Sequence, residues 1–123
     1  MTASAAETRI ALRDAPEEGH VRMLELDGHR VGLYRVGTSF HALADRCPHR
    51  GAPLCSGKIA TPIETDGDDV TVGQRHSILR CPWHKWEFEI ATGRSLVDPR
   101  LRVRQYAVRL DGEHVVVSLA HPA

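Results

Sequence analysis

Apolar and polar residues alternate along most of this chain, and turns interrupt the alternation. VRMLEL (21–26) and RVGLYRV (30–36) flank Asp27-Gly28, a dipeptide that accepts positive φ and favours a tight hairpin turn. SFHALADRC (39–47) alternates and ends at Cys47; HSILRC (76–81) is apolar and ends at Cys81. WEFEI (86–90) stops at ATGR, a turn centred on Gly93. LRVRQYAVRL (101–110) alternates again, with Leu101, Val103, Tyr106 and Val108 as candidate core residues, and Asp111-Gly112 turns the chain into EHVVVSLA. No segment sustains a helical apolar period. Short strands separated by turns predict an all-β protein, a small antiparallel β-sandwich or barrel. Residues 1–8 are small and polar and are expected to form a disordered tail. Residues 9–123 form one domain.

Composition narrows the function. The 123 residues suit a single buried core, and 41% hydrophobic with 26% charged residues fits a soluble globular chain. Lys plus Arg equals Asp plus Glu, at 16 each, which gives no sign of nucleic acid or of an anionic membrane as partner. No apolar run approaches the roughly 20 residues that span a bilayer, and no signal pattern opens the chain. A cytoplasmic protein is expected. The three cysteines, Cys47, Cys55 and Cys81, are too few and odd in number for a disulfide framework.

The candidate chemistry lies where two of the strands end. CPHRG places His49 two positions after Cys47, and CPWHKWEF places His84 three positions after Cys81. Each pair opens with Cys-Pro, and proline stiffens the start of each loop. Cysteine and histidine both ligate zinc and iron. A Cys2His2 zinc site usually pairs cysteine with cysteine and histidine with histidine. Mixed pairs suit an asymmetric two-iron cluster better: each loop can send its cysteine to one iron and its histidine to the other.

Cys47-x-His49 followed by Cys81-x-x-His84 resembles the Rieske iron–sulfur signature. CPHRGAPLCSG resembles the first cluster loop of that family and CPWHKWEFEIATGR the second. Asp98-Pro99 falls where the family has a third, proline-containing loop. The resemblance covers roughly residues 9–119. It implies the Rieske fold: an antiparallel β-sandwich with a small inserted cluster-binding subdomain, about 46–98. It also implies one [2Fe–2S] cluster, with Cys47 and Cys81 on the buried iron and His49 and His84 on the iron nearer solvent.

The chain departs from the family pattern in three places. Residues 50–80 make a long connection, and ATPIET and DVTV around Asp66-Gly67 suggest an added hairpin at about 59–76. Lys85 stands where the family commonly has glycine. Ala52 and Trp83 stand where Rieske proteins of respiratory cytochrome bc complexes carry a bracing disulfide. Cys55 is read as a small buried thiol. Trp86 stands near the place of a serine that those high-potential proteins aim at the cluster. The sequence therefore resembles the ferredoxin-type branch. A potential in the low half of the Rieske range, roughly −150 to +300 mV, is expected.

A single cluster moves one electron. The other histidines, at 20, 29, 41, 76, 114 and 121, show no paired ligand spacing, and no GxGxxG or nucleophile–base set is present. The resemblance implies an electron carrier with no catalytic centre of its own. It would pass electrons from a flavin-dependent reductase to a terminal oxygenase or another redox enzyme, and be a monomer when free. A small regulatory or structural subunit, as in nitrite reductases, or a redox sensor are the alternatives. Arg50 and Lys85 follow the two histidines and suggest a basic rim for docking.

Overall fold

The computed structural model describes residues 6–48, 53–61, 63–66, 69–72, 76–82, 86–96, 98 and 100–120. These are built from antiparallel strands and two short 3-10 turns, at Leu12–Asp14 and Leu54–Ser56. The strands are β1 (Glu7–Ala11), β2 (Val21–Leu26), β3 (His29–Val36), β4 (Ser39–Ala44), β5 (Lys58–Ala60) and β6 (Ile63–Asp66). They continue with β7 (Asp69–Val72), β8 (Ile78–Arg80), β9 (Glu87–Glu89), β10 (Gln105–Asp111) and β11 (His114–Ser118). The all-β expectation holds. None of the described helices is long and apolar enough to cross a membrane.

Six strands form one sheet in the order β1, β11, β10, β4, β3, β2, and its two edge strands touch, so the sheet curls on itself. Ile10, Val31, Leu33, Tyr106, Val115 and Val117 fill the curl. A second sheet, ordered β5, β8, β9, packs outside it. Between the two lies another core that includes Tyr34, Val36, Leu43, Leu79, Phe88 and Ile90. Strand β3 serves both cores, since successive side chains point to opposite faces. Val31 and Leu33 enter the curl, and Tyr34 and Val36 enter the space between the sheets. Burial on both faces explains why RVGLYRV reads as a nearly continuous apolar run.

The turns follow their residues. Asp27 and Gly28 both take positive φ, 49° and 82°, which suits the twist of the β2–β3 hairpin. Gly93 has φ 73°, and a Cβ there would lie 2.5 Å from the Val103 carbonyl oxygen. Between β5 and β8 the chain forms the β6–β7 hairpin, with Ile63 opposite Val72. Ile59 and Ala60 belong instead to β5 and pair with β8.

Two expectations need correction. The disordered tail expected at 1–8 does not take in Glu7 and Thr8, which are in β1, opposite Ser118 and Val117; residues 1–5 lie outside the described set. The strand expected over 101–110 begins only at Gln105. Residues 101–104 cross between the sheets. The Leu101 carbonyl accepts from the Ser95 N–H, the Val103 N–H donates to the Gly93 carbonyl, and the Arg104 carbonyl accepts from the Ala44 N–H. Val103 thereby enters the core between the sheets and Tyr106 enters the curl. Residues three apart face opposite sides of an extended chain, so the two enter different cores.

Candidate metal centre

The first cysteine loop is fastened by a single aspartate. Strand β4 ends at Ala44, and the next residue donates its N–H to the Arg30 carbonyl at 3.0 Å. The Asp45 side chain, only 5% exposed, accepts the Cys55 N–H on Oδ1 at 2.8 Å and meets Arg30 Nε through Oδ2 at 3.2 Å. One carboxylate thus joins strand β3 to both ends of the segment 45–55. The 3-10 turn at Leu54–Ser56 follows, closed by the Gly57 N–H on the Leu54 carbonyl at 2.9 Å.

The second loop is the end of a hairpin. Arg80 pairs with Glu87 across β8 and β9, and their side chains form an ion pair at 3.0 Å. The Cys81 N–H donates to the Trp86 carbonyl at 2.7 Å, which carries the ladder one step further. Among the described residues, Cys81 and Trp86 are the last tied pair of this hairpin.

Strand β5 brings the two loops together. Lys58 lies opposite Arg80, the residue before Cys81. A Cβ at Gly57 would fall 1.8 Å from the Arg80 carbonyl oxygen, so only glycine lets the end of the first loop press against β8 at this point. Cys47 and Cys81 are each 1% exposed and share the core between the sheets, and neither is in a disulfide. Ser95 is buried alongside, and its hydroxyl accepts the Asp98 N–H at 3.0 Å. Asp98 also pairs with Arg100, which lowers its pKa from the ordinary range through that side-chain hydrogen bond.

Cys55 lies in the same core, on its β3 side. Burial pushes its thiol up to about 12. It sits against Gly32 of β3, where a Cβ would lie 2.5 Å from its Sγ and 3.0 Å from the Tyr34 hydroxyl. That hydroxyl is buried without a hydrogen bond of good geometry. Burial, with the neighbouring Cys55 and Asp45, raises its pKa above the ordinary tyrosine value.

A family model described as "Rieske [2Fe-2S] domain" matches residues 8–107. The chain belongs to the Rieske [2Fe-2S] domain family. It is 32% identical over 108 residues to apoptosis-inducing factor 3 of Mus musculus and of Homo sapiens; the match takes in 87% of this chain but 15% of those proteins. It is 27% identical to the ferredoxin component of the naphthalene 1,2-dioxygenase system of Pseudomonas aeruginosa, over 90% of this chain and 92% of that one. The structure superposes on the ferredoxin of carbazole 1,9a-dioxygenase from Nocardioides aromaticivorans IC177 with a TM-score of 0.71 and 25% identity, covering 97% of this chain and all of that one.

Two of the four residues expected as donors are described, Cys47 and Cys81, and they suit a cluster: two thiols removed from water, on segments that one short sheet joins. Iron–sulfur clusters are held by such thiolates. His49, Arg50, Ala52, Trp83, His84 and Lys85 lie outside the described residues. Among the described residues no three His, Cys, Asp or Glu side chains gather as a metal site. Of the other histidines, His41 is half-buried on β4 and its pKa is lowered by burial. His76 takes positive φ, 57°, beside Gly19. Sequence reasoning missed Asp45, whose partners are apart in the chain. The signal available was an aspartate two positions before the first cysteine; the alternation of 39–47 places it inside a strand, whereas β4 ends at Ala44.

Proposed function

We propose that Cys47, His49, Cys81 and His84 hold one [2Fe–2S] cluster and that the chain is a one-electron carrier. The observation that carries this reading is the burial of Cys47 and Cys81 in one core, at the ends of loops tied together through Lys58, Arg80 and Gly57. When bound, such a cluster supplies a centre that takes up and releases single electrons. The chain's own residues fix its surroundings. Asp45 holds the first loop on β3, the Cys81–Trp86 hydrogen bond holds the second, and the apolar core keeps water from the two thiols.

The likeness to a dioxygenase ferredoxin component over nearly the full length of both chains supports a place between a flavin-dependent reductase and an oxygenase. A reducing compartment such as the cytoplasm suits three cysteines of which none is in a disulfide.

Purified protein should be red-brown, with about two irons and two acid-labile sulfides per chain, as one [2Fe–2S] centre requires. Cys47→Ser, Cys81→Ser, His49→Ala and His84→Ala should each abolish that content or alter the spectrum, and Cys55→Ser should preserve it. A colourless protein holding one zinc would overturn the reading.

A further inference from the structure

Beside the first cysteine loop lies a cleft of about 420 Å3 whose lining includes Arg30, Arg46, Arg102, Arg104, Pro48 and Tyr106. The arginines come from three places: β3, the link after β4, and the crossing segment before β10. Fold, not sequence proximity, collects them. The chain as a whole is neutral, so the cleft is a local excess of charge. Guanidinium groups stay protonated at any working pH.

The carboxylate at the cleft offsets only one of its four arginines, Arg30. Asp45 is turned inward to the Cys55 N–H and to Arg30. Among the described residues, Arg46, Arg102 and Arg104 have no carboxylate partner. Arg104 lies over the Tyr106 ring, 4.8 Å from its centroid, and its Nη2 donates to the Leu119 carbonyl at 3.5 Å. Arg102 also faces Arg94 across an isolated bridge. Like charges placed opposite one another work against folding, so stability does not account for this arrangement. Pro48, which lines the cleft, directly follows Cys47 and directly precedes His49.

We propose that this cleft is the docking site for a carboxylate-rich patch on the protein with which this chain exchanges electrons, a proposal that rests on the carrier reading above. Planar guanidinium groups pair bidentately with carboxylates. Three of them without carboxylate partners, beside Ala44 and Tyr106, present a surface that glutamate and aspartate side chains can enter. The position beside Pro48 sets such a partner against the first ligand loop. Charge of this kind accelerates encounter and makes the rate fall with salt.

The test compares the holoprotein with Arg46→Glu/Arg102→Glu and with Arg22→Glu, an exposed arginine on β2, as control. Poly-L-glutamate is the binding probe. At low salt it should bind the native protein and the control equally, and the double variant roughly tenfold or more weakly. In stopped flow, oxidation of the reduced protein by anionic hexacyanoferrate(III) should slow about tenfold in the double variant, and oxidation by cationic tris(phenanthroline)cobalt(III) should speed up. Arg46→Gln/Arg102→Gln, which removes charge without reversing it, should fall between and guards against misfolding. Equal poly-L-glutamate affinity in all variants would overturn the proposal. So would tighter binding of a nucleic acid than of poly-L-glutamate, or saturable one-to-one binding of phosphate or citrate that the double variant abolishes. A protein lacking iron and sulfide would sink the carrier reading while the poly-L-glutamate comparison still reports on the cleft.

Discussion

Gly32→Ala should destabilise the protein, and Cys55→Ala should largely repair it. A Cβ at residue 32 would lie 2.5 Å from Cys55 Sγ and 3.0 Å from both Cε2 and Oη of Tyr34. Ordinary carbon contacts are about 3.5–4.0 Å, so the added methyl overlaps sulfur by roughly 1 Å. Neither neighbour can swing into solvent, because Tyr34 is fully buried and Cys55 is 7% exposed. Overpacking of this kind costs about 1–3 kcal/mol. The gain from replacing a strand glycine, about 0.5–1 kcal/mol, offsets part of it. Cys55→Ala alone removes the sulfur and leaves a small void, at a cost of about 1 kcal/mol. In the double variant the methyl at residue 32 fills the space the sulfur left. Its cost should fall at least about 1 kcal/mol short of the sum of the single costs. Thermal melts of the iron-loaded proteins at one scan rate would read this as roughly 3–6 °C per kcal/mol for a chain of this length. A Gly32→Ala melting point within about 1 °C of the native value would refute the packing argument, and so would strictly additive costs in the double variant.

Asp45→Ala should cost about 1–3 kcal/mol, mostly from the Cys55 N–H left without an acceptor. Asp45→Asn should cost less, because its oxygen can still accept and the lost pair is with an Arg30 side chain that is 70% exposed; equal melting of the two variants would argue against the hydrogen bond. The Cys55 thiol, pushed up to about 12 by burial, should resist iodoacetamide at pH 8 in the folded protein and react after denaturation, and rapid labelling of the folded state would contradict its placement. Glu7, hydrogen-bonded to Arg109, titrates below the ordinary glutamate value. Its contribution to stability is therefore present above the unfolded glutamate range and is lost as pH falls through the lowered folded value. Glu7→Gln should make the acid limb of the stability profile shallower, and an unchanged limb would remove the pair from the account.

Local pattern was enough for the hairpins and for the chemistry of the loops. Asp27-Gly28 declares its turn because only its own φ values matter there. The mixed Cys-Pro-His pairs point to a cluster because ligand type and spacing are properties of a few consecutive residues. Only the tertiary structure decided what depends on residues far apart in the chain. The extended pattern of 101–110 runs on through Arg104, yet β10 starts at Gln105, because the hydrogen bonds of 101–104 go to Gly93, Ser95 and Ala44. Asp45 becomes the fastening of the first loop only when β3 and the turn at Leu54–Ser56 present Arg30 and Cys55 to it. Gly32 is constrained by a sulfur from another segment. The arginines at 46 and 102 read as ordinary surface charges until the fold sets them around one cleft. Turn preference and ligand spacing are short-range and can be read residue by residue. Contacts across sheets depend on strand register, which the whole set of packed strands determines together.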